Sequence, residues 1–206
     1  MSNHRLQALL HITSTLGWDE PATALNAKVL DTTADLAVIL DHHEHARRQT
    51  QRAGALTDFD LAMFLMSLPL REPVPLCALS TAERAQLSAA PCGALVITDE
   101  SVTRLASPPT RAVLAVVYDD HARSGLRRAS QFAPVAARVL VLPEPPSAES
   151  LVLAEAAEYG IGVCSTGSGG GIDMHVSPVP WRQHYFTAGG WLFKEQCYRL
   201  VTTRSP

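Results

Sequence analysis

The chain has 206 residues, 47% of them hydrophobic, which is enough to bury one substantial core. A formal net charge of −3 excludes a protein that is basic over its whole surface, although a local basic face is still compatible with phosphate binding. Apolar runs are too short to cross a bilayer and no signal-peptide pattern opens the chain, so we expect a cytoplasmic protein with no membrane partner. The four cysteines form no C-x-x-C pair, which favours free thiols over a zinc knuckle or a disulfide framework.

The first 70 residues are predicted to form a mainly helical region with one short extended segment. Apolar residues at helical spacing from Leu6 to Leu16 indicate an opening amphipathic helix, with Asn3 as its N-cap and Gly17 as its stop. Short apolar runs between Lys28 and Leu40, separated by turn-prone residues, predict extended structure. The opening helix is expected to pack against the core and not to carry functional residues.

The extended segment runs directly into the sequence DHHEH, residues 41–45. The triplet Asp41-His42-His43 resembles the D-H-H motif of the DHH phosphoesterases, in which such residues hold manganese, but the earlier acid-rich motifs of that family do not precede it. His42 and His45, three residues apart, could share one helical face with Asp41 and bind a metal through their neutral ring nitrogens. The alternative is that Asp41 caps an exposed helix rich in His and Arg, and we favour it because no further converging ligand is identifiable.

The helix predicted from Phe59 to Leu68 is apolar on nearly every side. The sequence Thr57-Asp58-Phe59-Asp60 indicates its start, because it has the spacing of a capping box with Asp in the place of Glu. Such a helix belongs either to the centre of a core or to a homodimer interface. Three prolines follow it and make residues 70–76 the best internal boundary, so residues 77–206 are assigned to a second domain.

Beyond this boundary the pattern predicts an α/β domain with a mixed sheet. Ser80-Thr81-Ala82-Glu83 is a capping box that starts a helix, and apolar runs on both sides of Asp99 predict a hairpin over residues 94–106. The elements predicted next are a strand at 112–118, a helix at 122–136, a strand at 138–142, a helix at 147–159 and a strand at 161–164. Strand-helix-strand units of this length close as right-handed crossovers, so we expect a parallel sheet with the antiparallel hairpin at one side.

The order of elements over residues 80–164 resembles the α-β-β-β-α-β core of the PD-(D/E)XK, or restriction-endonuclease-like, fold. The segment that begins LAVVYDDHARSGLRRAS is similar to the later part of such domains, where a strand bearing E-x-K leads into an Arg-rich helix. The resemblance covers about 85 residues and implies acids and a lysine that bind divalent cations, which activate water for phosphodiester cleavage. Here Val116-Val117-Tyr118 stands in the place of E-x-K, so the catalytic motif is degenerate.

Three acids are candidates for a relocated catalytic site that would need Mg²⁺ or Mn²⁺: Glu83, Asp99 and Asp120. Each also has a structural explanation, since Glu83 completes a capping box, Asp99 lies at a hairpin tip, and Asp120 closes a strand ahead of a helix. Residues 103–138 contain six arginines and two acids. We therefore predict that one helix face contacts nucleic-acid phosphates through Arg123, Arg127 and Arg128.

The leading hypothesis is a non-catalytic, nuclease-fold protein with a DNA-associated or regulatory role and no cofactor, which contacts phosphates through this arginine face. The first alternative is a divalent-metal-dependent nuclease with the relocated site. The second is a protein-interaction module without nucleic-acid binding, which assembles as a homodimer through the Phe59–Leu68 helix or the aromatic residues between Trp181 and Phe193. The glycine-rich sequence STGSGGG, residues 165–171, is predicted to be a connector because it lacks the lysine of a P-loop.

Overall fold

The structure is a computed structural model that describes residues 2–147, 151–167, 171–182 and 185–203, so the centre of the predicted glycine-rich connector lies outside the described residues. The helices of these ranges are α1 (Ser2–Thr15), α2 (His42–Gln51), α3 (Phe59–Ser67), α4 (Thr81–Leu87), α5 (Ala122–Ser130), α6 (Leu151–Glu158) and α7 (Ala188–Thr202). The strands are β1 (Ala22–Val29), β2 (Thr32–Leu40), β3 (Pro73–Pro75), β4 (Leu95–Ile97), β5 (Ser101–Arg104), β6 (Thr110–Tyr118), β7 (Ala137–Leu142), β8 (Gly162–Thr166) and β9 (Ile172–Val176). Within the described ranges, no helix is both long enough and apolar enough to span a membrane.

The chain divides into two compact units that are interleaved in sequence. The sheet unit consists of Met1–Ile39, Ala112–His184 and Leu200–Pro206. The inserted unit consists of Leu40–Arg111 and Tyr185–Arg199. The boundary that the prolines suggested at residues 70–76 therefore lies inside the inserted unit.

The sheet unit is built on a six-stranded mixed sheet with the strand order β1-β2-β6-β7-β8-β9. The strands β6, β7 and β8 are parallel, and β9 pairs antiparallel with β8. This confirms the α/β class and the mixed sheet. The predicted alternation of strand, helix, strand, helix and strand is present as β6-α5-β7-α6-β8.

Side chains of the central strands alternate between two covered faces of the sheet. Leu9 and Ile12 of α1 form a buried cluster with Val116, Val139 and other residues of the sheet. Leu140, the next residue on β7, points the other way, because successive side chains of a strand face opposite sides. It contacts α5 instead of α1.

The antiparallel hairpin of β1 and β2 lies at one edge of this sheet and turns tightly at Leu30 and Asp31. Both residues are left-handed, with φ of 49° and 56°, the geometry of a two-residue turn that matches strand twist. The sequence indicated extended structure only from Lys28, but β1 already begins at Ala22. The N-terminal part thus supplies two strands of the main sheet, and α1 begins at Ser2, so Asn3 lies within the helix.

The inserted unit contains α2, α3, α4, a three-stranded sheet of order β3-β5-β4, and residues 188–199 of α7. Trp191 of α7 is fully buried in its core with Leu61, Leu65 and Val102. The cap of α3 is Asp58, whose side chain accepts a hydrogen bond from Leu61 N. The predicted capping box at Thr57 was therefore wrong by one residue.

The hairpin predicted over residues 94–106 is present as β4 and β5, but it does not pair with the parallel strands. It pairs with β3, so the predicted α-β-β-β-α-β core over residues 80–164 is not assembled from these elements. The neighbours of β6 are β2 and β7. The β1–β2 hairpin therefore lies next to the parallel strands, where we had expected the hairpin of residues 94–106. Hydrophobic patterns identify strands locally and do not specify which distant strand becomes a neighbour.

Candidate functional site

A groove of about 860 Å³ on the sheet unit is lined mainly by residues of α5 and by residues near the end of α6. Arg123 and Arg127 of α5 line it, four residues apart and therefore on one helical face. Arg138 of β7 and Tyr159, just past the end of α6, line it as well. Glu155 is the one acid in its lining, so three arginines and one glutamate give a net local charge of +2.

The amphipathic character of α5 directs its arginines into this groove. Leu126 and Ala129 are buried, whereas Arg123 and Arg127 are exposed. Gly125 allows the buried side of α5 to approach β7 closely: a Cβ atom there would lie 3.0 Å from Asp119 Cβ and well inside contact distance of Leu140 Cδ1. This close packing of α5 against β7 sets the position of α5, which forms one wall of the groove.

Arg138 is the half-buried cation of the groove. Its Nη2 donates a hydrogen bond to the Tyr159 carbonyl oxygen at 2.6 Å. Burial lowers the pKa of this guanidinium, and no carboxylate of the described ranges lies within ion-pair distance of it. A partly desolvated positive charge without an ion-pair partner favours the binding of an anion.

Arg128, the third arginine of the predicted face, has a different position. It forms an ion pair with Asp119 at 3.0 Å and donates hydrogen bonds to the Tyr118 and Thr33 carbonyl oxygens at 3.4 Å. Burial opposes ionisation of Asp119, but hydrogen bonds, the first from the His121 backbone N–H, outweigh it and lower the Asp119 pKa. Arg128 therefore stabilises the connection from β6 to α5 and does not line the groove.

A second cavity of about 330 Å³ shares Ala133, Arg138 and Tyr159 with the groove. Trp181 and Arg182 also line it. The Trp181 Nε1–H donates a hydrogen bond to the Ala133 carbonyl oxygen at 3.2 Å, which fixes the indole against the turn after α5. The two cavities thus meet at Arg138 and Tyr159.

The three candidate catalytic acids occupy separate local environments. Glu83 accepts hydrogen bonds from the Ser80 backbone N–H and hydroxyl, completing the predicted capping box of α4. Asp99 lies in the turn between β4 and β5, and Asp120 is exposed after β6 in the other unit. In the part of the chain that the structure describes, no group of three or more His, Cys, Asp or Glu residues is placed to hold a metal ion.

The DHHEH segment forms the start of α2. The Asp41 carboxylate accepts a hydrogen bond from Glu44 N at 2.9 Å and caps the helix, which is the interpretation that the sequence favoured. His42 is exposed, and His45 Nδ1 lies 2.9 Å from the Tyr198 hydroxyl. Asp41 therefore caps the helix, and His45 contacts Tyr198. The structure does not bring Asp41, His42 and His45 together as a set of metal ligands.

A buried ionic network, which sequence reasoning missed, connects α2 with α7 inside the inserted unit. Arg48 makes two hydrogen bonds of 2.7 Å to the Glu195 carboxylate and one of 2.7 Å to Glu44. Glu195 also accepts hydrogen bonds from Trp191 Nε1 and Leu56 N. Because every charge is paired, we assign the network a structural role.

A second missed cluster surrounds Asp35, a fully buried acid on β2. Arg5 Nε of α1 donates a hydrogen bond to it at 2.8 Å, and the same guanidinium hydrogen-bonds to Asn26 and lies 4.1 Å from the centre of the Tyr118 ring. Burial, and next the Asp35 charge, raise the pKa of Tyr118 to about 12. The signal in the sequence was the single acid within the apolar run ADLAVIL.

Ser165 and His175 form a serine-histidine pair, with Oγ and Nε2 2.7 Å apart. Ser165 is buried at the carboxyl end of β8, and His175 is exposed on β9. Nucleophilic catalysis also needs a group that orients the base and donors for an oxyanion. Asp173 on the same strand makes no hydrogen bond with His175 in the described structure, so the pair remains a contact between strands.

No protein-family model matches this chain, and searches of curated proteins and of solved structures found no match either. Function is therefore inferred from the groove, from the Asp35 cluster and from the sequence.

Proposed function

We propose that this protein is a non-catalytic, nuclease-fold protein that contacts nucleic-acid phosphates through the groove of the sheet unit. The observation that carries the proposal is the convergence of Arg123, Arg127 and Arg138 on one groove. None of the three has an ion-pair partner among the described residues. Phosphate oxygens are strong acceptors for guanidinium groups and would supply the missing negative charge.

The charge distribution supports nucleic acid as the source of the phosphate. The whole chain carries a net charge of −3, yet the groove concentrates positive charge on a small area. Guanidinium contacts to phosphates fix a protein on a nucleic acid without reading its sequence. We therefore expect weakly specific binding that depends strongly on salt.

The order of elements in the sheet unit supports a nuclease-like scaffold. When the inserted unit is set aside, α1, β1, β2, β6, α5 and β7 follow one another as α-β-β-β-α-β. These are different residues from those over which the sequence resemblance was found. In PD-(D/E)XK domains neighbouring strands carry the cation-binding acids and the lysine, and here β2 carries Asp35 while β6 carries Val116 and Tyr118.

The contacts of Asp35 support the absence of catalysis. Its carboxylate is buried and accepts hydrogen bonds from Arg5 Nε and from Asn26 N. A divalent cation needs several free oxygen ligands that converge on one point. The Arg5 guanidinium pairs with this carboxylate, and the side chain of Val116 on the neighbouring strand β6 carries no oxygen ligand. The alternative of a relocated site at Glu83, Asp99 and Asp120 gains no supporting contact.

Fluorescence anisotropy with labelled single-stranded and duplex DNA at several salt concentrations tests the proposal. Three phosphate contacts predict that the logarithm of the binding constant falls with the logarithm of salt with a slope of about −2 to −3. Arg123→Ala combined with Arg127→Ala should reduce the slope to about −1 and weaken binding at every salt concentration. The charge-matched control removes two exposed arginines of the inserted unit, Arg84 and Arg111.

Two results contradict the proposal. One is no binding to either DNA at low salt. The other is a salt slope that changes equally in the groove variant and in the control, because binding would then depend on general charge and not on the groove.

A second candidate function, assembly as a protein-interaction module, has one observation in its favour. Phe59 and Met63 on α3 are 55% and 50% exposed and lie one helical turn apart. Exposed apolar pairs of this kind occur at protein interfaces. Size-exclusion chromatography with light scattering should show a dimer that Met63→Asp dissociates and that Leu151→Asp, at another exposed apolar residue, does not. A wild-type monomer at high concentration removes this candidate.

A further inference from the structure

We propose that the groove and the adjoining cavity receive a single strand of nucleic acid rather than a duplex, with Tyr159 and Trp181 as stacking surfaces for its bases. This inference rests on the proposed function and specifies its substrate class. It is carried by the shape of the two cavities and by the combination of arginine and aromatic residues that line them.

The shape favours a single strand. Arg138 lies on a strand, half-buried at the point where the two cavities meet, whereas Arg123 and Arg127 lie on the helix above it. The groove encloses about 860 Å³, within the range of sites that surround a small ligand, so it has room for one nucleotide, whereas the rigid outer surface of a duplex cannot enter it. The backbone of a single strand is flexible enough to bring one phosphate into contact with Arg138. The phosphates of a duplex are held on its convex outer surface and cannot reach a half-buried guanidinium in this way.

The aromatic residues are positioned where such a strand would pass. Tyr159 is 56% exposed and lines both cavities together with Arg138, which donates the hydrogen bond to its carbonyl oxygen, so the two residues lie at the same end of the groove. Trp181 is partly exposed, and its indole N–H is already bound to Ala133. Proteins that bind single strands without sequence preference combine a basic track with aromatic stacking surfaces.

Charge along the two cavities agrees with this path. Arg123, Arg127, Arg138 and Arg182 line them, against Glu155 and Glu158, which leaves a net charge of +2. Glu155 is exposed beside the arginines and would repel a phosphate backbone. Its neutralisation should therefore strengthen binding, an effect that a purely structural glutamate would not produce.

The experiment compares the binding of a labelled oligothymidylate of about 12 nucleotides with that of a duplex of the same length. We expect the single strand to bind at least about ten-fold more tightly. Tyr159→Ala should weaken its binding at least about five-fold, and Tyr159→Phe, which keeps the ring, should leave it unchanged. Glu155→Gln should tighten binding most at low salt and make the salt dependence somewhat steeper, because salt no longer screens a repulsion that opposed binding. Circular dichroism and thermal melting confirm that each variant is folded.

The outcomes separate this inference from the proposed function. Equal binding of single strand and duplex, or equal affinity of Tyr159→Ala and wild type, overturns the inference while the dependence on Arg123 and Arg127 persists. Absence of binding to either nucleic acid overturns both. Tighter binding of the single strand, lost in Tyr159→Ala and kept in Tyr159→Phe, supports both.

Discussion

Replacement of Gly125 by alanine tests the packing that forms the wall of the groove. This glycine lies in α5 against β7, and an added Cβ atom would lie 3.0 Å from both Asp119 Cβ and Leu140 Cδ2 and closer still to Leu140 Cδ1. Such distances are too short for carbon atoms, so α5 must move away from the sheet or Leu140 must leave its rotamer.

Two opposing effects determine how much Gly125→Ala changes the free energy of unfolding. Alanine is favoured over glycine in a helix interior by about 1 kcal/mol. Overpacking of a tight core costs about 1–3 kcal/mol, and the contact with Leu140 places Gly125→Ala at the upper end of that range. The net effect is a loss of about 2 kcal/mol, which for a chain of this size lowers the melting temperature by about 4–8 °C.

Gly189→Ala is the matched control, because it lies in α7 and a Cβ atom there would meet no heavy atom within 4 Å. It should leave the melting temperature unchanged or raise it, since helix propensity gains at most about 1 kcal/mol. Thermal melting followed by circular dichroism measures both variants. If Gly125→Ala is as stable as Gly189→Ala, the close approach of α5 to β7 is wrong and the shape of the groove must be revised.

Three further predictions concern buried groups. Burial opposes ionisation of Glu44, but hydrogen bonds from Arg47 and Arg48 outweigh the effect of burial and lower the Glu44 pKa below 4.5. The ionised carboxylate therefore stabilises the fold above pH 4.5, and this stabilisation is lost as the pH falls through the pKa of Glu44 in the folded protein. In urea unfolding, Glu44→Gln should therefore be less stable than wild type near neutral pH but lose less stability on acidification, and an identical pH dependence would contradict this. Arg48→Met leaves the buried Glu195 carboxylate without a cationic partner, while Glu44 keeps Arg47, and should cost about 3–5 kcal/mol. Combined with Glu195→Gln, the total loss should be smaller than the sum of the single losses; additive losses would argue against a coupled network. Burial raises the pKa of Cys164 and Cys197 to about 12, so a thiol reagent should modify two cysteines in the folded protein and four in denaturant; four rapid reactions under native conditions would refute their burial.

Local patterns in the sequence predicted local structure. The cap of α2 by Asp41 and the capping box at Ser80 depend on residues three positions apart, and the structure contains both. The succession from β6 to β8 was also predictable, because fully apolar runs of strand length alternate with amphipathic helices. These features need no information about distant parts of the chain.

The pairing of β2 with β6 could not be predicted in this way. About 70 residues separate the two strands, and the intervening β4–β5 hairpin had an equally convincing pattern. The groove shows the same limit. Arg123 and Arg127 follow from helical spacing, but Arg138 and Tyr159 meet only because the end of α6 packs beside Arg138 of β7.

The interleaved order of the two units has a consequence for synthesis on the ribosome. All six strands of the sheet unit have been translated by Val176, whereas the inserted unit still lacks the helix that carries Trp191 and Glu195. Arg48 and Glu195 are 147 residues apart, which at about 5–20 residues per second means a delay of roughly 7 to 30 s. During that interval the nascent chain holds Arg48 with Glu44 but without Glu195, its partner on α7. All strands of the sheet are thus synthesised before the insertion is complete, although the insertion begins earlier in the chain, and the unfinished insertion leaves apolar core residues such as Leu61 and Leu65 without Trp191.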